Sequence, residues 1–174
     1  MHILITGAAG MLGRKLTRRL VEAGTLRGAA ISRLDLVDIV DSPIDAEFCT
    51  SRTADLTKLG VAADLVATMP DVIFHLAGVV SGEAEANFEK GMAVNLDGTR
   101  ALFDALRLAV GRPRVVFTSS IAVFGAPFPD PIPDDFHLTP LTSYGTEKMV
   151  CEALLADYSR RGFFDGVGIR LPTI

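Results

Sequence analysis

The sequence predicts a three-layer α/β domain in which a parallel sheet lies between two layers of helices. Short apolar segments alternate with longer amphipathic ones, which is the pattern of β-α-β units. The apolar segments are continuous rather than alternating, as expected for strands that are buried on both faces. The length of 174 residues suits one domain, and we assign residues 1–174 to it.

The first half of the chain supplies four strands and two helices. Strands are expected at 3–5, 34–40, 47–49 (weakly) and 72–75, and helices at 11–23 and 59–69. The first helix is indicated by Leu12, Leu16 and Leu20, which recur at helical spacing between basic residues.

The second half continues the same alternation. We expect a long helix over 83–110, a strand at 115–118, a helix at 144–160 and a sixth strand at 167–171. Residues 126–140 hold five of the nine prolines and are predicted to form a loop. That loop either lines a substrate site or is an ordinary surface loop, and the sequence leaves both open. The last sheet edge and one face are expected to be poorly covered.

Composition excludes several classes of function. A net charge of −4 argues against nucleic-acid binding, and no run of lysine or arginine suggests a membrane surface. The amino terminus lacks the pattern of a secretory signal, so we expect a soluble cytoplasmic protein. Cys49 and Cys151 are expected to be reduced, and the three histidines are too scattered to predict a metal site.

A glycine-rich turn follows the first strand and opens the first helix, at Gly7, Gly10 and Gly13. Gly7 is expected to permit the tight turn, Gly10 to let a pyrophosphate approach the backbone, and Gly13 to pack helix against strand. The first helical residues, Met11 and Leu12, offer free N–H groups to the phosphates. This context predicts a dinucleotide site on a Rossmann-type doubly wound sheet of strand order 3-2-1-4-5-6.

An acidic residue at the end of the second strand is expected to bind the adenosine ribose hydroxyls. Asp38 is better placed than Asp35, because ligands lie beyond the carboxyl ends of parallel strands; Asp35 is expected to be a solvated charge near the strand's start. A carboxylate there repels a 2′-phosphate and favours NAD over NADP, although Arg14 leaves NADP open.

A catalytic pair is predicted at Tyr144 and Lys148, which are four apart on one helix face. A tyrosine is a poor base at neutral pH, and a nearby ammonium is expected to lower the pKa of the phenol. Ser119 and Ser120 end the fifth strand, where a hydroxyl can bind a substrate oxygen and position it for the tyrosine.

Five motifs occur in one order along the chain, and together they carry a resemblance. They are Thr6-Gly7-x-x-Gly10-x-x-Gly13, His75-Leu76-Ala77-Gly78, Asn95-x-x-Gly98-Thr99, Ser119-Ser120-x-x-Val123-Phe124-Gly125 and Tyr144-x-x-x-Lys148. The chain resembles the extended short-chain dehydrogenases, also called the NAD-dependent epimerase/dehydratase family, over essentially its whole length.

The resemblance implies a role for particular residues. It makes Ser120 the catalytic hydroxyl, with Ser119 as the alternative, Tyr144 the acid/base and Lys148 its partner that also reaches the nicotinamide ribose. It places Asn95 near the nicotinamide end, although the sequence alone indicates only a helix interruption there. It assigns to the cofactor site Asp55, Leu56, Leu76, Ala77 and Gly78. Two departures are Phe124, where the family usually has Tyr, and Gly78, where it usually has Ala.

The function implied is oxidation of a secondary alcohol by hydride transfer to NAD. Ser-Ser-Ile-Ala-Val-Phe-Gly, the Gly24-to-Ser32 connection and Arg170-Leu171-Pro172-Thr173-Ile174 are similar to the D-erythronate dehydrogenases, which oxidise C2 of a four-carbon sugar acid. The alternatives are a nucleotide-sugar epimerase or dehydratase, against which Phe124 and Ile121-Ala122 count, and a nucleotide-binding module without turnover.

The resemblance also implies further parts and partners. Family members carry a substrate domain after the sixth strand, so one is expected after residue 174. Their long helices pair in a homodimer, and the apolar side chains available for such an interface here are Phe103, Leu106, Leu108, Met149, Leu154 and Leu155. The other partner expected is a small-molecule substrate, either a sugar acid or a nucleotide sugar.

Overall fold

The computed structural model describes residues 1–42, 44 and 46–172 and contains a six-stranded parallel sheet with helices on both faces. The strands of the chain are β1 (His2–Thr6), β2 (Thr25–Leu26), β3 (Ala29–Ala30), β4 (Arg33–Asp38), β5 (Cys49–Thr53), β6 (Val72–His75), β7 (Arg114–Ser120) and β8 (Asp165–Leu171). The sheet order is β5-β4-β1-β6-β7-β8, and β2 pairs with β3 in a separate hairpin. The predicted fold class and the order 3-2-1-4-5-6 are therefore confirmed.

Helices connect the strands as the alternation predicted. They are α1 (Met11–Ala23), α2 (Val61–Val66), α3 (Ser81–Ala86), α4 (Phe88–Gly91), α5 (Thr99–Leu108) and α6 (Ser143–Arg160). A π-helical segment, Met92–Gly98, joins α4 to α5, and a 3₁₀ turn, Ile121–Val123, follows β7. No helix in the described part of the chain is long and apolar enough to cross a bilayer.

Two hydrophobic layers sandwich the sheet, because successive strand residues point to opposite faces. In β1, Ile3 and Ile5 pack on the α1 side, whereas Leu4 packs on the α5 side. The second layer is centred on Phe103 of α5 and Phe117 of β7, whose rings lie 6.2 Å apart. These buried faces explain the continuous apolar runs of the sequence.

The sheet is less covered at β8, as the sequence predicted. Val167 and Ile169 are 41% and 45% exposed, although they are branched apolar residues in a strand. They pair in register with Val116 and Thr118 of β7 and so share one face of the sheet. Of the C-terminal motif noted above, Thr173 and Ile174 lie outside the described residues.

The structure departs from the predicted elements in three places. The third strand is at Cys49–Thr53 rather than 47–49, because Glu47 and Phe48 form a turn. The long helix expected over 83–110 is interrupted at Asn87, whose side chain accepts from the Lys90 N–H at 3.1 Å and starts a new helix. The β2–β3 hairpin has no apolar alternation to reveal it, and its turn is made by Arg27 and Gly28, both with positive φ.

Candidate active site

The glycine-rich turn fits between β1, α1 and the end of β6. Gly7 has φ +75°, and a Cβ there would lie 2.5 Å from the backbone nitrogen of Ala77. A Cβ on Gly13 would lie 2.2 Å from the Gly7 carbonyl oxygen, so α1 packs directly against the turn. Gly10 is different, because a Cβ there would meet only that same oxygen, at 3.3 Å. Its other side faces an open cleft.

The cleft lies at the carboxyl ends of β1, β4 and β6, and its volume is about 390 Å³. Eight of the predicted cofactor residues line it: Gly7, Gly10, Asp38, Asp55, Leu56, Leu76, Ala77 and Gly78. Met11 and Leu12 lie in the first turn of α1, and Met11 is exposed. The sequence did not single out several further wall residues, among them Ile39, Val40, Glu83, Lys90 and Val94.

Asp38 ends β4 at the mouth of this cleft. Its Oδ2 accepts a hydrogen bond from the Ala9 N–H at 2.9 Å, and its Oδ1 accepts from the Ile39 N–H at 2.7 Å. The carboxylate is thereby fixed next to the glycine-rich turn. A ribose hydroxyl in the cleft would find this acceptor in place.

Asp35 is not the solvated charge that the sequence predicted. It is 7% exposed, accepts from the Arg33 Nε–H at 2.8 Å, and lies 3.0 Å from the His2 Nε2. The expectation was wrong because Arg33 and His2 supply polar partners for the carboxylate, which can therefore be buried. Asp35 does not line the cleft, and neither does Arg14.

Asp55 lies on the wall after β5. Its Oδ1 accepts from the N–H of Thr57 at 2.9 Å and from the Thr57 hydroxyl at 2.7 Å. These two hydrogen bonds lower the pKa of the Asp55 carboxyl, so it is ionised at neutral pH. The cleft therefore carries a second fixed acceptor, in addition to Asp38.

His75 of the His-Leu-Ala-Gly motif connects the sheet to the helices. Its Nδ1 lies 2.7 Å from the Thr6 hydroxyl and its Nε2 lies 2.9 Å from the Thr99 hydroxyl. Because Thr99 donates to the Asn95 carbonyl at 2.6 Å, it accepts from Nε2–H, and Nδ1 accepts from Thr6. Burial, aided by the charge of Lys148, lowers the pKa of His75 to about 3. The imidazole is thus a neutral structural link between β1, β6 and α5.

The predicted catalytic pair lies at the start of α6, beyond the wall of the cleft. Tyr144 is half-buried in the first turn of the helix, which the Thr142 hydroxyl caps by accepting from the Gly145 N–H at 3.0 Å. The Lys148 ammonium donates to the Thr118 carbonyl at 2.9 Å and lies 5.7 Å from the Tyr144 ring centroid. It also lies over the Phe117 ring, 4.9 Å from its centroid. Tyrosine and lysine therefore share one helix face, as their spacing predicted.

The electrostatics of the pair differ from the sequence prediction. Burial lowers the pKa of Lys148 to about 8, and the negative charge of Glu147 opposes this shift. Burial raises the pKa of Tyr144, Glu147 adds to that rise, and a hydrogen bond from Ser120 opposes it. The expected lowering of the Tyr144 pKa by the ammonium is therefore wrong for this structure. The physical reason is that desolvation of a buried phenolate outweighs a lysine whose ammonium is directed at the Thr118 carbonyl.

The two candidate serines have different environments in the structure. Ser119 is 2% exposed, and its hydroxyl has no hydrogen-bond partner among the described residues. Ser120 is at the end of β7, where its Oγ accepts from the Ala122 N–H at 3.1 Å, and it lies near enough to Tyr144 to oppose the rise in the pKa of that phenol. The geometry favours Ser120 as the hydroxyl that works with Tyr144, and Ser119 faces the protein interior.

Asn95 is fully buried in the middle of the π-helical segment. Its Oδ1 accepts from the Val79 N–H at 2.9 Å, and its Nδ2 donates to the Val79 carbonyl at 3.2 Å and to Glu147 Oε2 at 2.7 Å. The side chain thus supports the Val79 backbone from behind and does not itself line the cleft. The helix interruption read from the sequence is this π-helical segment.

Glu147 is a buried member of the site that sequence reasoning missed. It is 1% exposed, although a glutamate in the middle of a helix is normally solvated. A Cβ on Gly91 would lie 2.5 Å from Glu147 Oε1, so Gly91 makes room for the carboxylate. Gly91 was the available sequence signal for the burial of Glu147, but it can be interpreted only once α4 and α6 are known to pack together.

The loop over 126–140 returns against the residues that follow β7. The Thr139 N–H donates to the Val123 carbonyl at 3.1 Å, and the rings of Phe136 and Phe124 lie 6.0 Å apart. On its other side Phe124 contacts the Arg170 guanidinium, 4.9 Å from the ring centroid. The loop's C-terminal part therefore packs against Val123 and Phe124, while Phe128 is exposed.

Three of the six side chains predicted for a dimer interface are not available for one. Phe103, Leu106 and Leu155 are at most 5% exposed and belong to the core. Leu108 is 75% exposed at the end of α5. In the described part of the chain no group of three or more His, Cys, Asp or Glu side chains could hold a metal ion.

The chain resembles known proteins in sequence and in structure. It is 48% identical to D-erythronate dehydrogenase of Cupriavidus necator, over 100% of this chain and 55% of the relative. A crystal structure of a nucleoside-diphosphate-sugar epimerase from Agrobacterium tumefaciens superimposes with a TM-score of 0.96 at 63% identity, over 100% of this chain and 53% of that one. A mutant uronate dehydrogenase from Agrobacterium tumefaciens, complexed with NAD, gives a TM-score of 0.78 at 29% identity, over 92% and 56% of the two chains.

The matched relatives are longer than this chain, but the family match covers nearly all of the chain. The chain spans about half the length of the relatives that it matches. The pattern of the NAD-dependent epimerase/dehydratase family matches residues 3–174, which is nearly all of the sequence. The chain therefore belongs to the NAD-dependent epimerase/dehydratase family.

Proposed function

We propose that this chain is the nucleotide-binding and catalytic part of an NAD-dependent dehydrogenase that oxidises a secondary alcohol of a small sugar acid, such as D-erythronate at C2. The main observation behind the proposal is that the cofactor cleft and the predicted catalytic residues lie at the same edge of the sheet. The cleft that opens at the glycine-rich turn and the group of Ser120, Tyr144 and Lys148 both lie at the carboxyl edge of one sheet. The similarity to D-erythronate dehydrogenase supports the choice of substrate.

The residues of the cleft fit NAD. Asp38 is a fixed acceptor for the adenosine ribose hydroxyls, and its charge disfavours a 2′-phosphate. The open side of Gly10 and the N–H groups of Met11 and Leu12 would hold the pyrophosphate, while Gly13 keeps the helix close. Adenine would lie against Asp55 and Leu56, with Leu76, Ala77 and Gly78 on the opposite wall. When bound, NAD supplies the hydride acceptor.

The protein side chains orient the substrate and move its proton. Ser120 would donate to or accept from the substrate oxygen and hold it near Tyr144. Tyr144 would take the hydroxyl proton as the general base. Lys148, with its pKa lowered to about 8, is mostly protonated at neutral pH and provides a cation beside the phenol and the nicotinamide ribose. Asn95 would support the nicotinamide end through Val79 rather than by direct contact.

A second candidate is a nucleotide-sugar epimerase, which oxidises its substrate and then returns the hydride. It is favoured by the similarity to the Agrobacterium protein that is described as a nucleoside-diphosphate-sugar epimerase. Phe124 counts against it, and the Ile121-Ala122 pair counts against a dehydratase. A third candidate, a module that binds NAD without turnover, applies if residues outside this chain are needed to hold the substrate.

The proposal also includes a substrate domain and a homodimer. We expect a longer chain to supply a substrate domain, because the relatives are about twice as long and one face of β8 is exposed. We also propose a homodimer, in which the exposed Leu108 and the partly buried Met149 and Leu154 are the remaining candidates for contact. Sedimentation at assay concentration tests this, and a strict monomer would contradict it.

The function is tested with the full-length gene product, NAD and a panel of four-carbon sugar acids. Net formation of NADH with D-erythronate supports the dehydrogenase. Tightly retained NAD without net NADH from any acid, together with interconversion of nucleotide sugars, supports the epimerase.

A further inference from the structure

Asn95 and Glu147 form a buried polar pair behind the cleft, and the proposed chemistry leaves the glutamate without a task. The two side chains are 0% and 1% exposed, and Asn95 Nδ2 donates to Glu147 Oε2 at 2.7 Å. The second carboxylate oxygen, Oε1, has no hydrogen-bond partner among the described residues. Burial of a carboxylate is unfavourable, and one kept with incomplete hydrogen bonding calls for an explanation.

Two glycines leave the space that this pair occupies. A Cβ on Gly91 would lie 2.5 Å from Glu147 Oε1, and a Cβ on Gly78 would lie 2.8 Å from Asn95 Oδ1. Any larger residue at either position would displace one member of the pair. Gly78 is one of the two positions at which the chain departs from the usual family pattern, and it lies directly against Asn95.

The carboxylate fixes the orientation of the Asn95 amide. Glu147 Oε2 accepts a hydrogen bond from Nδ2, so the Asn95 side chain presents its NH₂ group to the glutamate. The same orientation directs Oδ1 to the Val79 N–H at 2.9 Å and Nδ2 to the Val79 carbonyl at 3.2 Å. Both backbone polar groups of Val79 are therefore held, and Val79 lines the cleft next to Gly78.

The charge of Glu147 also acts on its neighbours in α6. It raises the pKa of Lys148 and adds to the rise in the pKa of Tyr144 that burial begins. The other groups packed around this region carry less buried charge. Burial raises the pKa of Cys151 to about 11 and lowers that of His75 to about 3, so both are neutral. From α3 and α4 come Glu83 and Lys90, which pair with each other at the surface, and Glu85, which accepts from the Ser143 N–H.

We propose that Glu147 is a positioning residue, whose carboxylate holds the Asn95 amide against Val79 and places a fixed negative charge beside Tyr144 and Lys148. It acts on the reaction through these neighbours and does not touch the substrate. The inference rests on the proposed dehydrogenase function. It explains why a glutamate is buried there, with glycines on both sides of the pair.

The test uses Glu147→Gln, which keeps the acceptor for Asn95 and removes the charge, and Glu147→Ala, which removes both. Asp157→Asn is the matched control, because it removes one carboxylate from an exposed position of the same helix. The first readout needs neither cofactor nor turnover. It is the alkaline titration of the Tyr144 phenol by ultraviolet absorbance, isolated by subtracting the Tyr144→Phe variant.

We expect the apparent pKa of Tyr144 to fall by about one unit in Glu147→Gln and to stay unchanged in Asp157→Asn. The acidic limb of kcat/KM against pH should move to lower pH by the same amount, because less negative charge opposes the phenolate. NAD affinity should stay within about twofold in Glu147→Gln and weaken by about tenfold in Glu147→Ala, in which the Asn95 amide loses its hydrogen bond to Glu147 and is held only by Val79.

Two results would overturn the inference. In the first, the Glu147→Gln titration coincides with that of the Asp157→Asn control. In the second, Glu147→Ala binds NAD as tightly as Glu147→Gln. If the alanine variant fails to fold by circular dichroism, the glutamine titration decides alone. Failure of the proposed function is a separate result: the unsubstituted protein would give no net NADH with sugar acids, while the titration would still be readable.

Discussion

Substitution of Gly145 by alanine should uncouple Tyr144 from Ser120 without affecting NAD binding. A Cβ on Gly145 would lie 2.2 Å from the Ala122 carbonyl oxygen, where ordinary contacts begin at 3.4 Å, so α6 and the 3₁₀ turn must separate by 3.4 − 2.2 = 1.2 Å. The contact atom is backbone and cannot rotate away. Ala122 is also the residue whose N–H donates to Ser120, so the shift acts on both catalytic side chains.

The expected cost follows from that displacement. A misplacement of about 1 Å costs about 100-fold in a reaction that depends on orientation, or about 2.7 kcal/mol of transition-state stabilisation. We therefore expect kcat/KM for Gly145→Ala to fall by about 100-fold, and the dissociation constant of NAD by calorimetry to change by less than about twofold.

Gly82→Ala is the matched control, because nothing lies within 4 Å of a Cβ at that helical position. The control should keep kcat/KM within about twofold of the unsubstituted protein. If Gly145→Ala folds and its kcat/KM equals that of Gly82→Ala, the contact between α6 and the 3₁₀ turn does not position the catalytic pair, and the reasoning is refuted.

Two further predictions concern the cofactor and the acid stability of the fold. Asp38→Asn should weaken NAD binding by about tenfold and reduce the preference for NAD over NADP, because a charged acceptor is lost. Binding calorimetry with both nucleotides checks this prediction. An unchanged ratio of the two affinities would contradict it. His75 has a folded pKa of about 3, below its unfolded value of 6.5, so its neutral form stabilises the fold and that stability is lost as the pH falls below about 6.5. Between about pH 7 and about pH 5 the free energy of unfolding, measured with urea, should fall by about 2 kcal/mol through this residue. If the free energy of unfolding of His75→Gln falls equally over the same pH range, the prediction is contradicted.

The features that the sequence predicted well depend on local patterns. The buried strands appear as continuous apolar runs because both faces of a parallel sheet are covered. The turn at Gly7, Gly10 and Gly13 is equally local, since its shape follows from a short segment between β1 and α1. The spacing of Tyr144 and Lys148 determines that they share a face of α6, whatever that helix packs against.

The features that the sequence could not predict depend on contacts between distant segments. Glu147 is buried only because Gly91, which is 56 residues away, leaves room for it, and the pattern of α6 alone would place it in solvent. Asp35 is buried beside His2, which the register of β1 against β4 brings to it, and beside Arg33 of its own strand. Asn95, in the π-helical segment, likewise bonds to Val79 and Glu147, which lie 16 and 52 residues away along the chain. Each of these is a tertiary effect that overrides a local preference.

The pKa of Tyr144 likewise depends on tertiary contacts that the sequence does not reveal. The sequence places a lysine near a tyrosine and so predicts a lower pKa for the phenol. The structure adds the burial of the ring and the charge of Glu147, and both raise it. The sign of a pKa shift depends on solvation, which spacing along a helix does not determine.

The measurement that tests the central claim most directly is the rate of NADH formation from D-erythronate by the full-length gene product and by its Tyr144→Phe variant. The account predicts net NADH that accumulates with substrate and at least a 100-fold lower kcat for the variant, as expected for loss of the general base (an effect of about 10²–10⁴-fold). Retention of most of the activity in Tyr144→Phe would contradict the assignment of the base. Tightly bound NAD with no net NADH from any sugar acid would contradict the dehydrogenase itself.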